Sequence, residues 1–329
     1  MSSNSIYWNP SQLLSHNKLY NFVVGNRGAG KSFGAKLLAI NKWLKKRQQF
    51  VYVRRYGTEL ETIQNYFSDV IKEGYFEGHT FDVKNGCFLI DDEVAGYYIQ
   101  LSTSSKNKST SYPDVSLIIF DEFIIDKGTY RYLKDEVTVF LDLYETIART
   151  RDVIVLFISN AISSINPYFV YFDIRPRPGQ KFINKDEVCV QMYTNQAFIE
   201  KKKDTRFGKL IEGTKYAAYA IDNEFLRDND NFIEKPTGKL NCWYELIYMN
   251  QRYSVWYGME TGYVYITQLK APETVQTYSL TTEDYMPNML LLTSKVANFK
   301  RLKEAYEYGQ IRFSNLRCKS AFLEFIGYL

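Results

Sequence analysis

The chain has 329 residues, of which 45% are hydrophobic and 24% charged, as is typical of a globular protein with a sizeable core. Its 41 Lys and Arg residues against 37 Asp and Glu residues give a net charge of +4, which permits a nucleic-acid partner without indicating one. The four cysteines lie far apart and form no C-x-x-C pair, which argues against a zinc site and a disulfide framework. Because the sequence shows neither a signal-peptide pattern nor an apolar run of membrane-spanning length, we expect a cytoplasmic protein with no membrane partner.

Short apolar runs alternate with helical patterns in the first half of the chain. We predict strands over residues 21–24, 50–53, 115–120 and 153–158, and helices over 32–46, 59–72 and 136–147. A hairpin is predicted over 87–101 and a polar loop over 102–112. Strands that alternate with helices imply a parallel α/β sheet flanked by helices.

The pattern changes after Pro167. Three successive strands are predicted over 240–269, followed by helices over 295–308 and from 315 to the end. We therefore predict an α/β domain over 1–197, a linker over 198–228 and a smaller α+β domain over 229–329.

A glycine-rich loop stands between the first predicted strand and the first long helix. Residues 25–32 fit G-x-x-x-x-G-K-[ST] in full, in the strand–loop–helix context that a phosphate-binding loop requires. Glycines let backbone N–H groups surround phosphate oxygens, and the helix N-terminus adds partial positive charge. Lys31 is predicted to reach the β- and γ-phosphates, and the Ser32 hydroxyl to bind Mg²⁺. The predicted ATP-binding residues are Gly25, Asn26, Arg27, Gly28, Ala29, Gly30, Lys31 and Ser32.

Two acids follow the predicted strand 115–120. A strand that ends in Asp121-Glu122 delivers both carboxylates to the edge of the sheet where the phosphates bind. Asp121 is predicted to hold Mg²⁺, and Glu122 to deprotonate the attacking water. Asn160, at the end of the next strand, is either a γ-phosphate sensor or a strand-end cap.

Two arginines end the predicted helix 136–147. Arg149 or Arg151 could stabilise charge on the transferring phosphate of a neighbouring subunit, which is worth ~10³–10⁵ in rate. From spacing alone, the solvated end of a helix is the favoured interpretation, because Arg suits a helix C-terminus.

Several narrow motifs add to the phosphate-binding loop. Residues 54–56 read Arg-Arg-Tyr, residues 121–123 Asp-Glu-Phe, and residues 205–210 Thr-Arg-Phe-Gly-Lys-Leu. Through these stretches the chain resembles the DNA-packaging ATPases of small podophages, which package protein-primed genomes with the help of a prohead RNA.

The resemblance implies an ASCE-type ATPase core followed by a domain that resembles an RNase H-type nuclease without its catalytic acids. It implies a homopentameric ring that translocates double-stranded DNA, with prohead RNA and the portal connector as further partners. The ring would act in the host cytoplasm, transiently at the portal vertex of the prohead, and would be absent from the mature virion. The resemblance assigns the trans-acting arginine to Arg149, with Arg151 still open.

Two basic stretches are candidates for sequence-independent phosphate contacts with nucleic acid. Their alternatives are an ordinary mobile loop for the first stretch and a solvated linker for the second. The candidate residues are Lys106, Lys108, Lys201, Lys202 and Lys203.

Two other functions stay open: a nucleotide-gated assembly factor that binds RNA or portal, and a large terminase with a working nuclease. An RNase H-type nuclease needs clustered carboxylates for two metals. The second half offers four acids, which we interpret as surface or capping residues: Asp222, Glu224, Glu245 and Glu260.

Overall fold

The computed structural model describes residues 7–107, 110–125, 132–133, 135–161, 163–164, 166–176, 180–214, 232–292 and 297–326. The chain divides into two units, Met1–Ser164 with Ile174–Arg227, and Ile165–Asp173 with Asp228–Leu329. The predicted domain boundaries, 1–197, 198–228 and 229–329, remain predictions.

The described α-helices vary from 4 to 16 residues in length. In chain order they are α1 (Ser11–Leu14), α2 (Lys31–Lys46), α3 (Ser68–Lys72), α4 (Glu136–Ala148), α5 (Pro167–Tyr171), α6 (Gln196–Lys203), α7 (Arg206–Ile211), α8 (Ala297–Glu307) and α9 (Leu316–Phe325). Three 3₁₀ segments accompany them, Gly57–Leu60, Ile63–Asn65 and Leu101–Asn107.

A nine-stranded sheet forms the centre of the first unit. Its strands are β1 (Tyr20–Gly25), β2 (Gln49–Arg54), β3 (Phe81–Lys84), β4 (Cys87–Ile90), β5 (Glu93–Gln100), β6 (Val115–Asp121), β7 (Ile154–Asn160), β8 (Phe182–Lys185) and β9 (Val188–Tyr193). They lie in the order β3-β4-β5-β2-β6-β7-β1-β9-β8. The six strands from β5 to β9 in that order are parallel, and antiparallel partners close both edges.

The central strands are continuous apolar runs because both faces of the sheet are covered. β1 is buried throughout, and Phe22 stacks on Phe157 of the adjacent strand with ring centroids 4.2 Å apart. α2 packs Ala39 and Trp43 against the other face of the sheet, in a core that includes Val23 of β1. Since β1, β6 and β7 are parallel neighbours, their carboxyl ends meet at one edge of the sheet, where Gly25 pairs in register with Asn160.

Two predictions about local structure are wrong. The helix predicted over 59–72 consists of two 3₁₀ turns and the five-residue α3. Glu59 is drawn back to the backbone N–H of Tyr56 and to Arg54, which tightens the first turn. The polar loop predicted over 102–112 starts as a 3₁₀ segment, because buried Leu101 and Ser104 anchor its first residues.

The second unit contains a six-stranded mixed sheet. Its strands are β10 (Leu240–Tyr248), β11 (Gln251–Gly258), β12 (Val264–Thr267), β13 (Thr277–Ser279), β14 (Leu290–Leu291) and β15 (Ile311–Phe313), in the order β14-β13-β10-β11-β12-β15. The antiparallel β10–β11–β12 meander and the two helices were predicted, and the last three strands were not. Tyr244 and Tyr253 are fully buried in this sheet, which accounts for its Tyr-rich strands. The predicted class, a parallel α/β domain with a smaller α+β domain, is confirmed. None of the described helices has the length and apolar character needed to cross a membrane.

Candidate nucleotide-binding site

The loop between β1 and α2 has the backbone of a phosphate-binding loop. Gly28 and Gly30 have φ of 83° and 77°, a left-handed region that favours glycine. Gly30 caps α2, so the first N–H groups of a 16-residue helix point into the loop. The carbonyl of Ala29 accepts from the Trp8 N–H at 2.9 Å, which ties the loop to the N-terminal segment.

Lys31 is folded back into this loop. Its ammonium group is buried and donates to the carbonyls of Gly25 (2.9 Å) and Asn26 (2.6 Å) and to Oδ1 of Asn160 (3.2 Å). Burial lowers the pKa of Lys31 to about 7; Asp121 opposes this shift and Lys202 adds to it. Lys31 is thus bound by two main-chain carbonyls and by the predicted sensor residue.

Asp121 lies next to the start of α2. Its carboxylate is buried, accepts a hydrogen bond from the Ser32 side chain, and accepts another from the Tyr52 hydroxyl at 3.3 Å. Burial raises the pKa of Asp121, while Arg54 and the Ser32 hydrogen bond lower it. A hydroxyl and a carboxylate beside a phosphate-binding loop form the hard oxygen set that Mg²⁺ prefers, so the residues fit that ion.

Glu122 follows in a strained backbone conformation. Its φ is 60°, and its N–H donates to the carbonyl of Ile158 at 2.8 Å. The side chain is 57% exposed and forms an ion pair with Arg54 at 2.8 Å. The same Arg54 nitrogen also lies 2.8 Å from Glu59, so two carboxylates share one guanidinium.

A buried ion pair holds the backbone at Glu122 in place. Arg55 binds Glu136, the first residue of α4, through Nε (2.6 Å) and Nη2 (2.7 Å), and both side chains are almost fully buried. Arg55 also donates to the carbonyls of Glu122 (3.1 Å) and Phe123 (2.9 Å). The left-handed turn after β6 is therefore fixed by a charged group 67 positions earlier in the chain.

The two arginines at the end of α4 have different surroundings. Arg151 donates to three carbonyls of its own unit, those of Val115, Tyr112 and Ile147, at 2.6–2.7 Å. Arg149 is exposed and has φ of 54°, and no described residue forms an ion pair with it. Of the two, Arg149 is therefore the arginine that is accessible to another molecule, and the trans-acting role remains a prediction.

The chain matches known proteins over nearly its whole length. The family model of podovirus DNA encapsidation proteins (Gp16) matches residues 2–327. The chain belongs to this family. This encapsidation protein is 38% identical to the DNA packaging protein of Bacillus phage phi29 over 314 residues, 94% of either chain. It is 38% identical to that of Bacillus phage B103 over 306 residues, 92% of this chain and 95% of the relative.

Solved structures give the same assignment. A chain of the bacteriophage phi29 viral genome packaging motor assembly has a TM-score of 0.77 at 37% identity, covering 98% of this chain and 99% of that one. The N-terminal domain of the DNA packaging ATPase from bacteriophage phi29 has a TM-score of 0.55 at 41% identity, covering 59% of this chain and all of that domain. The resemblance drawn from the sequence motifs is confirmed.

The predicted nucleic-acid contacts of this encapsidation protein fall into two groups. Lys106, Lys201 and Lys203 are exposed, and Lys108 lies outside the described residues. Lys202 differs, because it is half-buried and its ammonium donates to the carbonyl of Arg27 in the phosphate-binding loop at 3.3 Å.

The acids considered for a nuclease site are accounted for only in part. Asp222 and Glu224 lie outside the described residues. Glu245 forms an ion pair with Arg252, and Glu260 accepts from the Lys239 N–H at 3.4 Å. No group of three metal-binding side chains occurs in the part of the chain that the structure describes.

Reasoning from the sequence missed the roles of Arg54, Arg55 and Lys202. Arg54 and Arg55 belong to the Arg-Arg-Tyr motif, and both contact the Asp-Glu-Phe motif. Arg54 binds the Glu122 side chain, and Arg55 donates to the Glu122 backbone carbonyl. No local signal distinguishes Lys202 from Lys201 and Lys203.

Proposed function

We propose that this encapsidation protein hydrolyses ATP in the loop 25–32 and uses the free energy to move double-stranded viral DNA into a preformed prohead. The observation that carries the proposal is the meeting of Lys31, Asp121 and Asn160 at the ends of neighbouring parallel strands, around that loop. Relatives that are named DNA packaging proteins match nearly the whole chain, which supports the proposal that DNA is moved into the prohead.

The loop residues bind and orient the nucleotide. Backbone N–H groups from Gly25 to Ser32 surround the phosphates, and Lys31 exchanges its carbonyl partners for β- and γ-phosphate oxygens. Mg²⁺ held by Ser32 and Asp121 would neutralise charge on those oxygens. Asn160, already bonded to Lys31, reports whether the γ-phosphate is present.

Glu122 is the proposed general base. Its exposed carboxylate follows Asp121 directly, and a base placed there accepts the proton of the attacking water. Arg54 holds this carboxylate in an ion pair, so hydrolysis requires Glu122 to exchange that ion pair for water.

Arg149 is the proposed trans-acting arginine. It is exposed and projects from the end of α4, whereas Arg151 is bound to carbonyls of its own unit. A residue that acts on a neighbour implies a ring, and we propose a homopentamer at the portal vertex, with the portal connector and a prohead RNA as partners. Lys106, Lys108, Lys201 and Lys203 remain candidates for contacts with the DNA backbone.

The test compares ATP turnover by the wild type, Glu122→Gln and the exposed control Glu77→Gln, each with long double-stranded DNA. Glu122→Gln should lower turnover by about 10²-fold or more while nucleotide affinity stays unchanged, because a general base contributes 10²–10⁴-fold. Glu77→Gln should behave as wild type. Near-wild-type turnover by Glu122→Gln would exclude it as the base and favour a nucleotide-gated assembly factor.

A further inference from the structure

The helix after β9 contacts the middle of the phosphate-binding loop. β9 is the parallel neighbour of β1, and Tyr193 at its end pairs in register with Gly25. Both strands therefore end at the same edge of the sheet. Asn195 caps α6 by accepting from the Phe198 N–H at 3.1 Å, which starts the helix beside the loop.

Two side chains on one face of α6 reach the loop. A Cβ added to Gly28 would lie 3.3 Å from Cζ of Phe198, so this ring lies on the loop's midpoint. Lys202, one turn later, lies over the Phe198 ring at 5.6 Å and donates to the Arg27 carbonyl at 3.3 Å. Lys201 and Lys203 are exposed.

Lys202 adds a positive charge beside the phosphate-binding loop. It is close enough to Arg27 for the two positive charges to repel each other. Arg27 belongs to the phosphate-binding loop, and the Lys202 ammonium donates to the carbonyl of the same residue at 3.3 Å. A polyphosphate, with several negative charges, would remove the repulsion and provide stronger acceptors.

We infer that Lys202 is a second lysine of the nucleotide site, which binds the phosphate chain of ATP from α6. The inference rests on the proposed function, since it assumes that the loop binds ATP. It removes Lys202 from the predicted nucleic-acid contacts.

The experiment measures the affinity of the full chain for a non-hydrolysable ATP analogue with Mg²⁺, by calorimetry. Lys202→Met removes the charge and keeps the stem over Phe198, whereas Lys201→Met is the matched control on the same helix. A charge-assisted hydrogen bond predicts weakening by about 10- to 100-fold for Lys202→Met, against less than about twofold for Lys201→Met. Lys202→Arg should recover part of the loss, and thermal unfolding of all variants should match the wild type.

Equal affinity of Lys202→Met and wild type for the analogue would overturn the inference. So would equal losses of DNA affinity in Lys202→Met and Lys201→Met with no change in nucleotide affinity, because the patch would then be a DNA contact. Lys31→Ala distinguishes failure of the proposed function from failure of this inference. If Lys31→Ala binds the analogue as tightly as the wild type does, the loop is not the ATP site and the proposed function is wrong.

Discussion

The buried pair Arg55–Glu136 should affect stability and catalysis separately. Arg55 makes two hydrogen bonds to Glu136 and two to the carbonyls of Glu122 and Phe123, in a place where both charged side chains are at most 1% exposed. In Arg55→Met the Glu136 carboxylate stays buried and keeps the hydrogen bond from the Leu133 N–H at 2.9 Å, but it loses Arg55 as its charged partner. Removing one partner of a buried ion pair costs about 3–5 kcal/mol.

For a unit of about 200 residues, this loss corresponds to a fall in Tm of about 6–20 °C. The double variant Arg55→Met with Glu136→Leu removes both charges and fills the space with apolar atoms, which is often neutral for buried pairs. Its stability should return to within about 2 kcal/mol of wild type, since the double variant leaves neither charge of the pair buried without the other. Its turnover should stay at least about tenfold low, because the strained Glu122 backbone has lost its donors.

The assay combines thermal unfolding with kcat and KM for ATP in the wild type, both single variants and the double variant. A lowered kcat with unchanged KM in the restabilised double variant would identify Arg55 as a positioning residue for Glu122. Wild-type kcat in that variant, or a cost below about 1 kcal/mol for Arg55→Met, would refute the reasoning.

Further predictions concern Lys31 and the α4 arginines. The pKa of Lys31 is lowered to about 7, so at pH 8 this lysine is mostly neutral before ATP binds. ATP binding should therefore be accompanied by proton uptake, which calorimetry in buffers of different ionisation enthalpy would measure. Lys31→Met should abolish this uptake. The unfolded lysine keeps its proton up to about pH 10.5, so this group should make unfolding free energy rise with pH between about 7 and 10.5; a flat difference between wild type and Lys31→Met would contradict the shift. Arg149→Ala should leave Tm unchanged and remove DNA-stimulated turnover, which mixing with Glu122→Gln subunits should partly restore; no recovery on mixing would argue against action in trans. Arg151→Ala should instead lower stability by about 1–3 kcal/mol, as urea unfolding would show, because three carbonyls lose their donor.

Much of the site could be predicted from the sequence because its signals are local. The loop 25–32 is one contiguous motif, Asp121 and Asn160 each end an apolar strand, and Glu122 follows Asp121 directly. Parallel strands bring such ends to one edge whatever their order, so neither the register nor the full topology was needed.

The rest depends on contacts between distant residues. Arg55 meets Glu136 across 81 positions and Lys202 meets Arg27 across 175, and neither pair has a spacing that a pattern can reveal. Lys202 becomes distinct from its neighbours only when β9 is known to lie beside β1. The helix predicted over 59–72 failed for a related reason, since Glu59 is held by Arg54 and by the Tyr56 backbone rather than by a continuing helix.

The central claim is that hydrolysis at this site moves DNA. The most direct test is to mix the chain with empty proheads, prohead RNA, genomic DNA and ATP, and to measure the DNA that becomes protected from nuclease. We predict full-length protected DNA with the wild type and with Glu77→Gln, and none with Glu122→Gln, although the latter still binds ATP. Protection of DNA by Glu122→Gln at the wild-type level would contradict the account.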